Sequence, residues 1–522
     1  MTNLLSYIFL IPLLVAFVML VIPKERKMLF KQIAVVTMLI ELILAVFVCF
    51  NFDKELQPQS WSDAFQFVER ADWITMSLGS IGQFRISYFL GVDGISLPLL
   101  VLSTIVLLIG ALSSWGIQDK VKGYFILYLI LASSIIGCFL ALDFFLFYLC
   151  FEFMLLPMFF LIGIWGGKRR SYASMKFFLY TLLGSLFILV VMIGLYISVE
   201  EEGTRSFSMV AMLDGQYAAD GILLPSAKNE IFGFSARAVA FVFLLIGFGI
   251  KLPTVPLHTW LPDAHVEAPT PISVVLAGLL LKVGSYGLLR VAVGIFPDVA
   301  SSMSTMIALF GVLSILYGGL NALAQNDLKK VVAYSSVSHM GFVLVGIAAL
   351  SSVGFSGSLF HMISHGLISP ALFLLVGVIY DRTGNREIEN FSGLASKMPV
   401  FAFFMGIFFF AGLGLPGFSG FVGELMILMG SFDSTIPLSV SLLAVSGIIL
   451  SAAYLLWTAQ RVFFGRYFVR RAEWEPKMTD LSLMEKVMFI PLAFLVIILG
   501  VYPRLVLDYS EATLTFFASQ FR

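Results

Sequence analysis

Residues 247–290 read GFGIKLPTVPLHTWLPDAHVEAPTPISVVLAGLLLKVGSYGLLR. An apolar run ends on a lysine, Lys251, and is broken just after it by Pro253 and Pro256. A polar turn follows. A second apolar run then carries Lys282 near its middle. Proline inside a helix removes a backbone hydrogen bond and breaks the ladder. Backbone groups freed in this way are tolerated at membrane depth where they line a polar cavity. The stretch therefore reads as a broken helix and an unbroken one, each with a cation inside the apolar part.

The rest of the chain supplies the membrane. Of its 522 residues 59% are hydrophobic and 12% charged, against about 25% charge in a soluble domain. Apolar runs long enough to cross a hydrocarbon core lie near 3–22, 30–50, 87–110, 124–142, 144–164, 174–198, 236–257, 269–291, 303–322, 331–350, 356–380, 399–429, 435–463 and 486–505. In lipid each must satisfy its own backbone, so each is a helix. The connections 51–86, 199–235, 381–398 and 464–485 are longer and polar. This predicts an all-α polytopic membrane protein of about fourteen transmembrane helices, folded as a single membrane domain over 1–522.

Two spans, 236–257 and 399–429, are interrupted by Pro and Gly. They are the seventh and twelfth, so they cross in opposite directions. That is the signature of two inverted five-helix repeats, each with a broken helix. The expected halves are 124–291 and 303–463.

Lysine and arginine set the orientation. One set of alternating loops holds Lys24, Arg26, Lys27, Lys31, Lys120, Lys122, Lys168, Arg169, Arg170, Lys176, Lys329, Lys330, Arg382, Arg386, Lys397, Arg461, Arg466, Arg470, Arg471, Lys477 and Lys486. The other holds Lys54, Arg70, Arg85, Arg205, Lys228, Arg237, Arg290, Arg504 and Arg522. The ratio, better than about two to one, turns the first set to the cytoplasm and leaves both termini outside. No cation precedes the first apolar run, and Lys24, Arg26 and Lys27 follow it. That polarity is opposite to a signal peptide, so the run is expected to be a retained helix. Net charge is zero, which leaves no footprint for nucleic acid. Cys49, Cys138 and Cys150 lie in apolar runs without CxxC spacing, which argues against a disulfide framework or metal knuckle.

A charge at the bilayer centre costs about 2.5–3.5 kcal/mol on insertion scales, so ionisable residues there usually face a cavity or a partner. The candidates are Glu152, Lys251, Lys282, His339, His361, His365 and Glu424. Glu152 stands in LDFFLFYLCFEFMLLPMFF; its bland alternative is a protonated acid bonded to a neighbouring helix. Lys251 could instead reach the interface, as long cationic side chains do. Lys282 is too deep for that. His339 lies in AYSSVSHMGF among hydroxyls and can both donate and accept a proton near neutral pH. His361 and His365 are one turn apart, the spacing of a two-histidine metal pair, but no third ligand is evident; His365 is the deeper and the better relay. His361 is near the end of its span, where an interfacial place is open to it. Glu424 follows the second break, GLGLPGFSGFVGELM, with an interfacial carboxylate as the alternative. Glu41 has no partner in the sequence and reads as peripheral. His258, Asp263 and His265 lie among prolines, which favours turn and cap roles over a metal. Gly412, Gly414 and Gly417 fit GxGxxG, but a dinucleotide site needs a strand and a βαβ unit, and this match is a helix break.

The run KLPTVPLHTWLPDAHVEAPTPISVVLAGLLLK, together with NDLKKVVAYSSVSHMGFV, HMISHGLISPALF and GLPGFSGFVGELMIL in the same order, resembles the antiporter-like membrane subunits of respiratory complex I, over nearly the whole chain. Several members carry a lysine where Glu424 stands. The resemblance implies a proton-translocating subunit in a hetero-oligomeric membrane arm. Glu152 and Lys251 would pair in the first half-channel. Lys282 and His339 would continue the relay, with His365 nearby, and Glu424 would be the exit carboxylate. It also implies no flavin, iron–sulfur cluster or quinone site on this chain. The readings it competes with are a subunit of a cation/proton antiporter or membrane-bound hydrogenase, and a non-transporting scaffold.

Overall fold

The computed structural model describes residues 3–77, 83–226, 229–231 and 233–521. Lys228 and Arg522 of the orientation tally lie outside them. Among the described residues twelve helices are long and apolar enough to cross a membrane, and the two interrupted segments complete the fourteen crossings expected. In chain order these are α1 (Leu4–Val21), α2 (Lys27–Asn51), α3 (Ser96–Ser113), α4 (Val121–Leu140), and α5 (Phe144–Phe153) continued by α6 (Leu155–Trp165). Next come α7 (Arg170–Tyr196), α8 (Ala236–Lys251) with the short α9 (Trp260–Glu267), α10 (Thr270–Val293), α11 (Pro297–Leu323), α12 (Leu328–Ala348) and α13 (Ser352–Thr383). The last are α14 (Pro399–Gly412) broken from α15 (Ser419–Phe432), then α16 (Leu438–Val462) and α17 (Leu483–Val501).

The layers follow from composition. Helices α10, α12 and α13, which carry Lys282, His339, His361 and His365, are buried nearly all round. The outer helices α1, α2, α7, α16 and α17 expose large apolar side chains such as Phe17, Ile43, Leu183, Ile449 and Phe494, as helices facing lipid do. Small residues let the central helices approach closely. A Cβ on Gly341 of α12 would lie 2.6 Å from the Gly311 carbonyl oxygen of α11, and one on Gly318 would lie 2.6 Å from the Ser338 amide.

The expected span 87–110 begins later, at Ser96. Residues before it form an antiparallel hairpin of β1 (Gln66–Ser77) and β2 (Gln83–Val92). Phe89 and Leu90 made the region look apolar, and hydropathy averages do not see the period-2 alternation that marks a strand. The hairpin has a structural task. The Glu69 carboxylate accepts from the Leu5 and Ser6 amides at 2.7 and 3.0 Å, so an acid caps the positive end of the α1 dipole.

A last helix, α18 (Arg504–Ser519), was not anticipated. Its buried positions Ser510, Thr513, Leu514, Phe517 and Ala518 follow amphipathic spacing. Phe517 stacks on Phe355 of α13 with ring centroids 4.7 Å apart.

Candidate functional site

The first break is finished by side chains, which keeps it open in a fixed shape. Past Lys251, the Trp260 indole N–H donates to the Ile250 carbonyl at 2.8 Å, and the Val255 amide donates to the Ser314 hydroxyl at 3.0 Å. At the second break Gly414 and Gly417 take φ of +76° and +96°, a region that costs an L-residue about 1–2 kcal/mol. A Cβ on Gly414 would also strike the Glu424 carboxylate. Gly414→Ala is therefore expected to displace that carboxylate and to destabilise the fold by at least about 1–2 kcal/mol; a lowered thermal midpoint checks it.

The ionisable residues fall into three groups. The first is at the α8 break. Asp143 caps α5, accepting from the Phe145 and Leu146 amides at 2.9 and 3.1 Å and from the Ser87 amide at 3.1 Å. Burial pushes its carboxyl up to about 6. Two turns on, Glu152 is half-buried, with Ser185 of α7 at its carboxylate. Lys251 is 1% exposed. The expected Glu152–Lys251 ion pair is not closed. Instead the ammonium donates to the Phe151 carbonyl at 3.2 Å and sits 3.3 Å from the centroid of the Phe151 ring. The side-chain choice is made by Phe151, which offers a carbonyl and a π face together.

The second group is Lys282. Gly284 allows the end of α8 to lie against α10, since a Cβ there would come within 3.1 Å of Lys251. Lys282 is wholly buried. Its ammonium donates to the Ala277 carbonyl at 2.6 Å and is 2.7 Å from His365 Nδ1. Ala277 belongs to a π-helical turn, Leu276–Leu280. Such turns loosen the ordinary ladder and recur at functional sites; here one presents a carbonyl to the lysine.

The third group surrounds Glu424. His339 joins the second group to it. The His339 and His365 ring centroids are 5.6 Å apart, and His339 Nδ1 is 3.5 Å from Glu424 Oε1. His339 Nε2 is 3.3 Å from the Tyr454 hydroxyl. A cavity of about 10 Å³, lined by Ser335, His339, His361, His365 and Ser369 among others, has room for about one water. His361 is not interfacial. It is 2% exposed, its ring lies 5.4 Å from that of His339, and neither of its nitrogens has a hydrogen-bond partner. Glu424 too is buried, on the second turn of α15. Thus Lys282, His365, His339 and Glu424 form one contiguous polar run, with Lys251 and Glu152 beyond it across Gly284.

Several groups stand elsewhere than expected. Arg290, counted as a loop cation, is buried in a second π-helical turn and paired with Asp93. Lys282, Tyr286 and Arg290 recur every four residues, a helical-face signal present in the sequence. Lys329, also counted in a loop, is buried and donates to the Ala268 carbonyl at 2.5 Å. Lys31 is buried against the Trp115 carbonyl, 2.6 Å away, and Arg237 is paired with Asp298. Glu41 is not peripheral; it is wholly buried, with both carboxylate oxygens unpartnered. Asp263 pairs with Lys176 at 2.7 Å, His265 stacks on Phe373 and His258 packs on Tyr317. Those three therefore do not converge on a common point.

The sequence and fold have close counterparts. Residues 141–451 match the family model described as NADH:quinone oxidoreductase/Mrp antiporter, TM. The chain is 43% identical over 516 residues to NADH-quinone oxidoreductase subunit M of Rhodobacter capsulatus, covering 97% of this chain and 95% of that one. It is 38% identical over 516 residues to NADH-ubiquinone oxidoreductase chain 4 of Marchantia polymorpha, covering 98% and 96%. A chain in the structure of respiratory complex I from Thermus thermophilus with bound NADH superposes with a TM-score of 0.82 at 26% identity, covering 99% of this chain and 100% of that one. A chain of the Mrp complex from Dietzia sp. shares the fold, with a TM-score of 0.80 at 22% identity and full coverage of both chains. With its broken helices, its buried lysines and this agreement from end to end, the chain belongs to the NADH:quinone oxidoreductase/Mrp antiporter family of membrane-spanning subunits.

Proposed function

We propose that this chain is a proton-translocating membrane-arm subunit of an NADH–quinone oxidoreductase, and that Glu152, Lys251, Lys282, His365, His339 and Glu424 carry the proton. The observation that carries this reading is the close succession of Lys282, His365, His339 and Glu424 inside an otherwise apolar bundle, with Lys282 bonded to His365, the two rings 5.6 Å apart and His339 3.5 Å from Glu424. Helices that only hold a complex together gain nothing from such costly groups.

In this reading each group has a task. A protonated Lys282 donates to His365 Nδ1, so that nitrogen must present its lone pair. Proton transfer along this bond makes His365 doubly protonated, and loss from Nε2 completes the step. Nε2 has no partner of its own, and the small cavity adjoins the ring. One water there bridges to His339, whose Nδ1 faces Glu424. After the transfer the neutral Lys282 amine carries a lone pair, through which a proton from the Lys251 side restores the ammonium. An ionised Glu152 favours a charged Lys251; drawing it closer or farther then holds or releases the proton. The halves 124–291 and 303–463 would hold the entry pair and the exit carboxylate respectively. The chain itself would carry no redox cofactor: electron transfer in its partner subunits would set the Glu152–Lys251 pairing. The loops rich in Lys and Arg would face the cytoplasm of a bacterium, with both termini outside.

Glu152→Gln keeps the size and the hydrogen bonding and removes the charge. The complex is expected to assemble and to lose proton translocation by about a hundredfold, read as quinone-dependent acidification of inverted vesicles. Full translocation by this variant would remove Glu152 from the path.

A further inference from the structure

The sequence pairs His361 with His365, but the fold pairs it differently. His361 turns toward His339 and Glu424. One ligand atom from each of the three lies within 4.8 Å of the other two. All three side chains are buried. Neither ring nitrogen of His361 has a hydrogen-bond partner, nor has Glu424 Oε1. Buried polar atoms are costly when unsatisfied, and here His361 and the Glu424 carboxylate each bring an unsatisfied atom to the same small region. The missing third ligand of the two-histidine reading is thus Glu424, and the second histidine is His339.

We propose that His339, His361 and Glu424 are also a binding site for a divalent transition-metal ion of the zinc type, and that the bound ion stops proton transfer to Glu424. The donor set is two imidazoles and one carboxylate. That set suits zinc and its neighbours, whereas magnesium and calcium take oxygen cages. Zinc bonds of about 2.0–2.1 Å in a tetrahedron put ligand atoms about 3.3 Å apart. The His339–Glu424 edge, 3.5 Å, already has that length. The His361 edges are no longer than 4.8 Å, and the ring that must move to shorten them has no hydrogen bond to give up. Water fills the fourth position, as in open zinc sites. A metal on His339 Nδ1 and on the Glu424 carboxylate occupies the lone pairs through which the proposed relay passes. This inhibition rests on the function proposed above; the binding does not.

The test uses the assembled complex. Zinc chloride is added to inverted vesicles, and translocation by each form is compared with its own zinc-free rate. In parallel the purified complex is loaded with zinc and freed of excess, then its zinc content and zinc-edge X-ray absorption are measured. His361→Phe keeps a ring and removes the ligand; His361→Gln serves if that form does not assemble. The unaltered complex is expected to hold a zinc with two imidazoles and a carboxylate. The variant is expected to lose one zinc per complex and to need about tenfold or more zinc for half-inhibition. Equal zinc content in both forms, or no such zinc in the unaltered complex, overturns the site. Zinc bound there without effect on translocation overturns the inhibition, and with it the place of Glu424 in the relay, while leaving the binding site standing.

Discussion

Replacing Lys282 by methionine is expected to lower proton translocation by at least about a hundredfold while the subunit still enters its complex. Lys282 is the only group within bonding distance of His365 Nδ1 among the described contacts, at 2.7 Å. Methionine cannot carry a proton. The variant should nonetheless fold. A wholly buried cation is costly to keep, and methionine fills nearly the same volume without leaving a charge behind. The Ala277 carbonyl loses one donor, a penalty of about 1–3 kcal/mol. The measurement is a pair: complex content on a native gel, and vesicle acidification during quinone reduction. Acidification at the unaltered rate would remove Lys282 from the path, and with it the central link of the proposed relay.

The second large effect lies away from that run. Arg290 and Asp93 form an ion pair with side chains 1% and 0% exposed. The guanidinium is stacked among Trp61, Phe65 and Tyr286. Asp93 also accepts from the Ile95 and Ser96 amides at the start of α3, and Gly94 beside it donates to Thr513 of α18. The pair therefore ties α10 to α3 where the hairpin and the last helix meet. Removing one partner of a buried pair leaves the other charge uncompensated and costs about 3–5 kcal/mol. Arg290→Met is expected to reduce assembled complex severalfold and lower its thermal midpoint. Adding Asp93→Asn, which keeps an oxygen for the two amides, is expected to restore much of both. A double variant no better than Arg290→Met alone would show that the pair is not the source of the loss.

These two sites also mark how far the sequence could be read. The fourteen crossings, the two breaks and the depth of Lys282 depend on composition within a single segment. Lipid makes such information decisive, because every segment must satisfy its own backbone. Glu152, Lys251, Lys282, His339, His365 and Glu424 were all visible for the same reason: a charge or an imidazole inside an apolar run is anomalous wherever the run finally packs. The hairpin at residues 66–92 was hidden because average hydropathy ignores alternation. The last helix was hidden because its apolar face is diluted by polar neighbours.

What remained for the tertiary structure was partnership. Lys282 meets His365 across 83 residues of chain, and Arg290 meets Asp93 across 197. No local pattern sets such contacts; they are set by which helix faces turn inward and by glycines such as Gly284 that let backbones close. Lys251 settles on the nearby Phe151 carbonyl instead of Glu152, and the packing of α13 against α12 and α15 brings His361 beside His339 and Glu424. Segment by segment, the amino-acid order determined what must lie in the membrane and which residues are out of place there. Only the packed bundle decided which of those residues touch, since contact depends on the geometry of several helices at once.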